Sequence, residues 1–224
     1  MRFFVIALVV LVVVSMATAA ERTDMLHNPN AYWPPADPHH GPQNGDGVVI
    51  ETLRDATIYY NLADFLNVIQ GDYYFDDFSW LGWGTIGGDL TYQFGPVNGY
   101  SYTASAANGL YSIPGAMSTN SAEDPLTLTF DGLPVTAVAG DFYGTDFDGN
   151  PITTVVTVAL DDGTTVGLSY PTVFVGFTTA VPIVSLTISC GDGLWPTYDN
   201  FYVGQLIIVP VENRTWGAIK SLYR

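Results

Sequence analysis

Read for hydrophobic and polar periodicity, the chain divides into an apolar leader, a polar arm and a long β region. Phe3 to Val14 is an unbroken apolar run behind a single positive charge, Arg2. Residues 21–47 are polar and carry Pro29, Pro34, Pro35, Pro38 and Pro42 with no period, which predicts an extended arm. From residue 48 onward Val, Thr, Tyr and Phe alternate with small and polar residues, and turn signals recur every several positions. The clearest predicted strands are Leu126–Phe130, Val135–Tyr143, Thr153–Leu160, Thr164–Tyr170, Val173–Phe177, Ile183–Cys190 and Asn200–Ile208. Weaker ones are Val48–Thr52, Leu90–Phe94, Tyr100–Ala104 and Leu110–Ile113. Around Ala63 to Gln70 lies one predicted helical turn, equally readable as the start of a strand.

Two turns follow from their chemistry. Asp162-Gly163 between two alternating runs predicts a β-hairpin with a type I′ turn, because both residues tolerate positive φ. Asp131-Gly132-Leu133-Pro134 predicts a slightly longer turn. Within Thr153–Leu160, the residues Val156, Val158 and Leu160 share the face expected to meet the core. Many short strands, Gly-rich turns and no long helix give an all-β fold, an antiparallel, jelly-roll-like (lectin-like) β-sandwich over residues 48–209. No internal repeat is visible, which argues against propellers and solenoids.

The leader has the layout of a secretory signal peptide, with Ala17-Thr18-Ala19 as an A-x-A cleavage pattern ending the segment 1–20. Its apolar run is shorter than the roughly 20 residues of a membrane-spanning helix. The expected location is therefore secreted or cell-surface, with no membrane span in the mature chain. Export sharpens the meaning of the charge. The chain has 22 acidic and six basic residues, and no Lys or Arg lies between Arg54 and Arg214. Such a surface repels phosphate, so nucleic acid and anionic lipid headgroups are poor partners, and no nucleic acid is expected. The single Cys190 rules out an intrachain disulfide, and a core of about 205 mature residues must hold the fold alone. Cys190 closes a strand-like run and is expected to be buried.

The stretch from Asp124 to Gly204 resembles the extracellular β domain of exported bacterial proteins of the PEP-CTERM type. The resemblance is carried by Pro125–Phe130, by Val135–Phe142, and by the acidic turn Asp146–Asn150. It continues through the Asp162–Thr164 hairpin, Phe174–Phe177, Ile183–Ile188 and the closing Asp199-Asn200-Phe201. It implies a jelly-roll-like sandwich and no particular activity. The end departs from that family. Val209-Pro210-Val211-Glu212 leads into Trp216, Gly217, Ile219, Lys220, Leu222, Tyr223 and Arg224, with no apolar helix. This tail, residues 210–224, resembles Trp-Gly-x-Ile-Lys-x-Leu-aromatic-Arg endings of other exported proteins. It can form a short amphipathic helix, either as a sorting tail or packed on the sandwich.

Candidate chemistry is confined to acids and aromatics. Asp141, Asp146, Asp148 and Asn150 bracket one turn and are the candidate calcium ligands, since Ca²⁺ takes hard oxygens from such loops. The turn lacks the closing Glu of an EF-hand, Thr157 standing there, and Asp and Asn also simply favour turns. Calcium is the one cofactor the sequence suggests. Asp199 is a further acid whose neighbours the sequence leaves open. Tyr73, Tyr74, Trp80 and Trp83 are the candidate glycan platform, with core packing as the alternative for the same aromatics. No Gly-x-Ser-x-Gly, His-Glu-x-x-His, P-loop or dinucleotide fingerprint occurs. His39-His40 has no further ligand nearby in sequence. The expectation is a non-enzymatic binding module for carbohydrate or a cell-surface polymer. The alternative is a structural or matrix surface protein with no small ligand.

Overall fold

Alternation of apolar and polar positions pays off only when a second layer covers the apolar face, and the chain solves this with two antiparallel sheets. The computed structural model describes residues 48–52, 56–169 and 173–207. The leader, the Pro-rich arm with its histidines, and the tail 210–224 lie outside the described residues. In chain order the elements are β1 (Val48–Thr52), β2 (Thr57–Tyr59), α1 (Leu62–Leu66), β3 (Tyr74–Asp76), β4 (Thr91–Val97), β5 (Tyr100–Ser105), β6 (Leu110–Ile113) and β7 (Ala116–Thr119). They continue with β8 (Leu126–Gly132), β9 (Ala137–Thr145), β10 (Pro151–Ile152), β11 (Val156–Leu160), β12 (Thr165–Leu168), β13 (Val173–Thr178), β14 (Ser185–Cys190) and β15 (Trp195–Gly204).

The first sheet has the order β1-β12-β11-β14-β8-β5-β4, and the second β2-β13-β9-β15-β7-β6, with β10 on β9 and β3 on β15. Val156, Val158 and Leu160 point into the core, as their alternation predicts. They meet Val166, Leu186 and Ile188 from the same sheet and Val138, Phe142, Val175, Tyr198 and Phe201 from the other. Phe94 stacks on Tyr102 at 4.8 Å, and Phe201 meets Tyr102 edge-on at 5.1 Å. The Tyr102 and Tyr198 hydroxyls meet at 3.4 Å inside this core, so neither is left without a partner.

The outer face of the second sheet is also covered. Asn61 caps α1, its Oδ1 accepting from the Ala63 and Asp64 amides at 2.8 and 3.2 Å. The helix drops the fully buried Phe65 onto Ala137, Ala139, Phe174 and Tyr202. Trp83 packs with Tyr111, Ile113, Ala116 and Tyr143 further along the same sheet. A strand covered on both faces loses its alternation. This is why β7, buried at all four positions, carries no period-2 signal.

Several boundaries differ from the sequence reading. The helical turn is shorter, ending at Leu66. The last strand starts at Trp195 instead of Asn200, because pairing with β9 overrides the Pro196 that reads as a strand breaker. The Asp162-Gly163 hairpin is present, but its loop has three residues. Gly163 donates to the Leu160 carbonyl at 3.0 Å, and Gly163 alone of the loop has a positive φ, 90°. That is a type I turn followed by a left-handed glycine, not type I′. The segment 131–134 leads from β8 in the first sheet to β9 in the second, so it is a crossing between sheets. Cys190 is half-buried, its thiol donating to the Leu194 carbonyl at 3.3 Å.

Candidate functional site

A β-bulge in β15 assembles the most distinctive polar group of the described residues. Asp199 pairs in register with Asp141 of β9, and the next registered pair is Tyr202 with Ala139. Asn200 and Phe201 therefore oppose the single Gly140. Asn200 takes a left-handed φ of 45°, a conformation Asn tolerates better than most residues. The extra residue keeps Tyr198 and Phe201 both in the core although they are three apart. It also turns the Asn200 amide onto the outer face beside the two acids. Gly140 has no side chain because a Cβ there would press on the Phe201 ring at 3.1 Å and the Asp199 carbonyl at 3.2 Å.

Asn200 Nδ2 donates to Asp141 Oδ2 at 2.9 Å and to Asp199 Oδ1 at 3.2 Å. The Tyr143 hydroxyl donates to Asp199 Oδ2 at 3.3 Å. Asp141 is 9% exposed and Asp199 3%. Burial raises both carboxyl groups above the ordinary range, and the neighbouring Asp141 charge raises Asp199 further, against the opposing pull of Tyr143 and Asn200. Of the two, Asp199 is raised the more. No Lys, Arg or His occurs among the described residues, so no side-chain cation offsets the pair. Tyr202, stacked on Phe75 at 4.5 Å, flanks the group, its phenol pushed up to about 12 by burial and by the Tyr73 and Asp141 neighbours.

The four candidate calcium ligands do not converge. Asp141 sits in mid-strand, four residues before the end of β9, which at a rise of about 3.3 Å per residue places it about 13 Å from the turn. Calcium–oxygen distances are about 2.3–2.6 Å, so one ion cannot bridge them. In the turn, Asp146 binds its own loop: it accepts from the Asn150 amide at 2.9 Å and from Asn150 Nδ2 at 3.1 Å. Asp148 is exposed. Among the described residues no group of three or more His, Cys, Asp or Glu is placed to hold a metal ion. Asp161 accepts from the Val184 and Ser185 amides at 2.9 and 3.2 Å.

The four candidate aromatics also separate. Tyr74 is buried in the core and donates to Asp76 Oδ2 at 3.0 Å. Tyr73 packs on Tyr202 at 5.7 Å. Trp83 is half-buried against Gly149, where an added Cβ would lie 2.8 Å from its ring. Trp80 alone stands open, 51% exposed. Its indole Nε1 donates to Asp76 Oδ1 at 3.3 Å, and its ring lies 6.4 Å from both Tyr92 and Phe94. Asp76 also accepts from the Phe78 amide at 2.8 Å, so the group that orients Trp80 is itself fixed.

Asp199-Asn200-Phe201, visible in the sequence as a motif, is the signal that could have located the bulge; its partner Tyr143 had none. Comparison with known proteins found no matching family model, no similar curated protein and no similar solved structure.

Proposed function

We propose that this protein is a non-catalytic, exported binding module that takes a carbohydrate or cell-surface polymer at the rim carrying Trp80. The observation that carries the reading is Trp80 itself. Its large aromatic surface is exposed, while the Asp76 bond and the adjacent Tyr92 and Phe94 rings hold its orientation. A pre-oriented indole offers its electron-rich face to the C–H face of a sugar ring with little ordering cost on binding. Asp76 and the exposed Ser79 beside it are polar neighbours suited to hydroxyl groups. The burial of Asp141 and Asp199 supports a non-catalytic reading, since a bulky substrate would have to reach them. The resemblance to PEP-CTERM-type extracellular domains supports export.

The test is a glycan array and titration with the purified protein. Wild type is expected to bind a polysaccharide, and Trp80→Ala to weaken that binding at least tenfold while its melting temperature stays within about 2 °C. Equal binding by both proteins sinks the reading.

A second reading, a structural surface protein, is favoured by the outer face of the first sheet. There Thr165, Ala159, Thr187, Thr127, Ser105 and Thr91 stand in register across six strands. Thr127 and Thr187 share a hydroxyl contact at 3.3 Å. This uncharged row on a strongly acidic chain is suited to lateral assembly. Concentration-dependent association by ultracentrifugation, with no glycan bound, would select it.

A further inference from the structure

We infer that the junction of the β5–β6, β7–β8 and β14–β15 loops is a divalent-cation site of the calcium type, with Asn120 and Asp124 supplying ligands. The inference is independent of the Trp80 reading and concerns a different place from the Asp146–Asn150 turn.

The three loops are tied together by named bonds. Asn120 N donates to the Gly109 carbonyl at 2.8 Å, Glu123 N to the Leu194 carbonyl at 2.8 Å, and Gly193 N to Glu123 Oε1 at 2.7 Å. Within this junction two buried side chains close on the backbone of one residue, Asn108. Asp124 Oδ2 accepts from its amide at 2.6 Å, and Asn120 Nδ2 donates to its carbonyl at 3.4 Å. That leaves the other branch of the Asn120 amide, Oδ1, held in the junction with no hydrogen-bond partner, on a residue only 8% exposed. Turning the amide over does not help. It would set the oxygen against the Asn108 carbonyl, acceptor to acceptor, and leave the NH₂ group without a partner.

Two needs coincide here. A buried acceptor lacks a donor, and a buried carboxylate has a single one, the Asn108 amide. Asp124 is 6% exposed and accepts one hydrogen bond among the described residues, which contain no Lys, Arg or His. A buried water would satisfy Asn120 Oδ1 but would bring no positive charge to Asp124. A cation answers both. The donors are hard oxygens, an amide carbonyl and a carboxylate, and the exposed Glu123 adds a second carboxylate on the same loop. That chemistry selects Ca²⁺ or a similar hard ion.

Trp195 provides a built-in reporter, since its Nε1 donates to the Asn120 carbonyl at 3.4 Å. The test uses the full chain freed of metal by a chelator, then given Ca²⁺ or the luminescent substitute Tb³⁺. Calcium is expected to raise the melting temperature by about 5–10 °C at a hundredfold excess over its Kd. Tb³⁺ emission is expected on indole excitation and is expected to fall strongly in Trp195→Phe. Asp124→Asn, nearly isosteric, and Asn120→Ala should each lose the calcium shift and the emission, while Asp146→Asn keeps both. No shift and no emission in the wild type would overturn the site and leave a buried water as the partner of Asn120. So would a response retained in Asp124→Asn and Asn120→Ala but lost in Asp146→Asn.

Discussion

Asn200 shows how one residue's backbone preference sets local chemistry. Its left-handed φ creates the bulge, and the bulge brings its amide to Asp141 and Asp199. The pair has raised carboxyl pKa values in the folded state. A raised value means that the native state binds a proton more tightly than the unfolded chain. The stability it contributes is therefore full below the ordinary carboxylate range and is lost as pH rises through the folded values. Melting temperature followed from pH 4 to pH 9 should fall as the pH rises. Asp199→Asn is nearly isosteric but carries no titrating proton. It should flatten the fall and exceed wild-type stability on the alkaline side. An unchanged pH profile in Asp199→Asn would show that the pair is not the titrating group.

At the scale of elements, α1 is held by a side chain rather than by its own length. Five residues are too few for a helix to persist alone. Phe65 fixes it by filling the space left by Gly176, where an added Cβ would lie 2.6 Å from the Phe65 ring. Gly176→Ala should cost about 1–3 kcal/mol by overpacking, read from urea unfolding at constant m-value. The double variant Gly176→Ala with Phe65→Leu should recover part of that loss, because the two residues share one contact. The alternation of β11 and the Asp-Gly punctuation were legible in sequence. Short strands such as β3 and β7 were not, because they form only when β15 offers an edge to each.

For the whole molecule the governing fact is charge. The formal net charge is −16, and the described residues contain no basic side chain. Self-repulsion in the compact state is then relieved by screening, and salt should stabilise the fold. Raising NaCl from 10 to 150 mM is expected to raise the melting temperature by about 2–5 °C, and further salt should add little. A fall with salt would mean that specific ion pairs outweigh the repulsion.

Fold class, the core face of β11 and the acidic, cation-free stretch are properties of local pattern and composition, and the sequence by itself determined them. Alternation with period two needs no knowledge of what pairs with what. Which strands became neighbours, and hence which side chains met, was decided only in the tertiary structure. Asp141 and Asp199 are 58 positions apart, and Asn120 and Trp195 are 75 apart. Asp141 left the Asp146–Asn150 turn for Asp199 because a strand carries successive residues about 3.3 Å apart along one axis, while pairing across a sheet takes about 4.8 Å. Contacts of that second kind depend on register, and here register was set by a bulge and by burial of both faces of the second sheet.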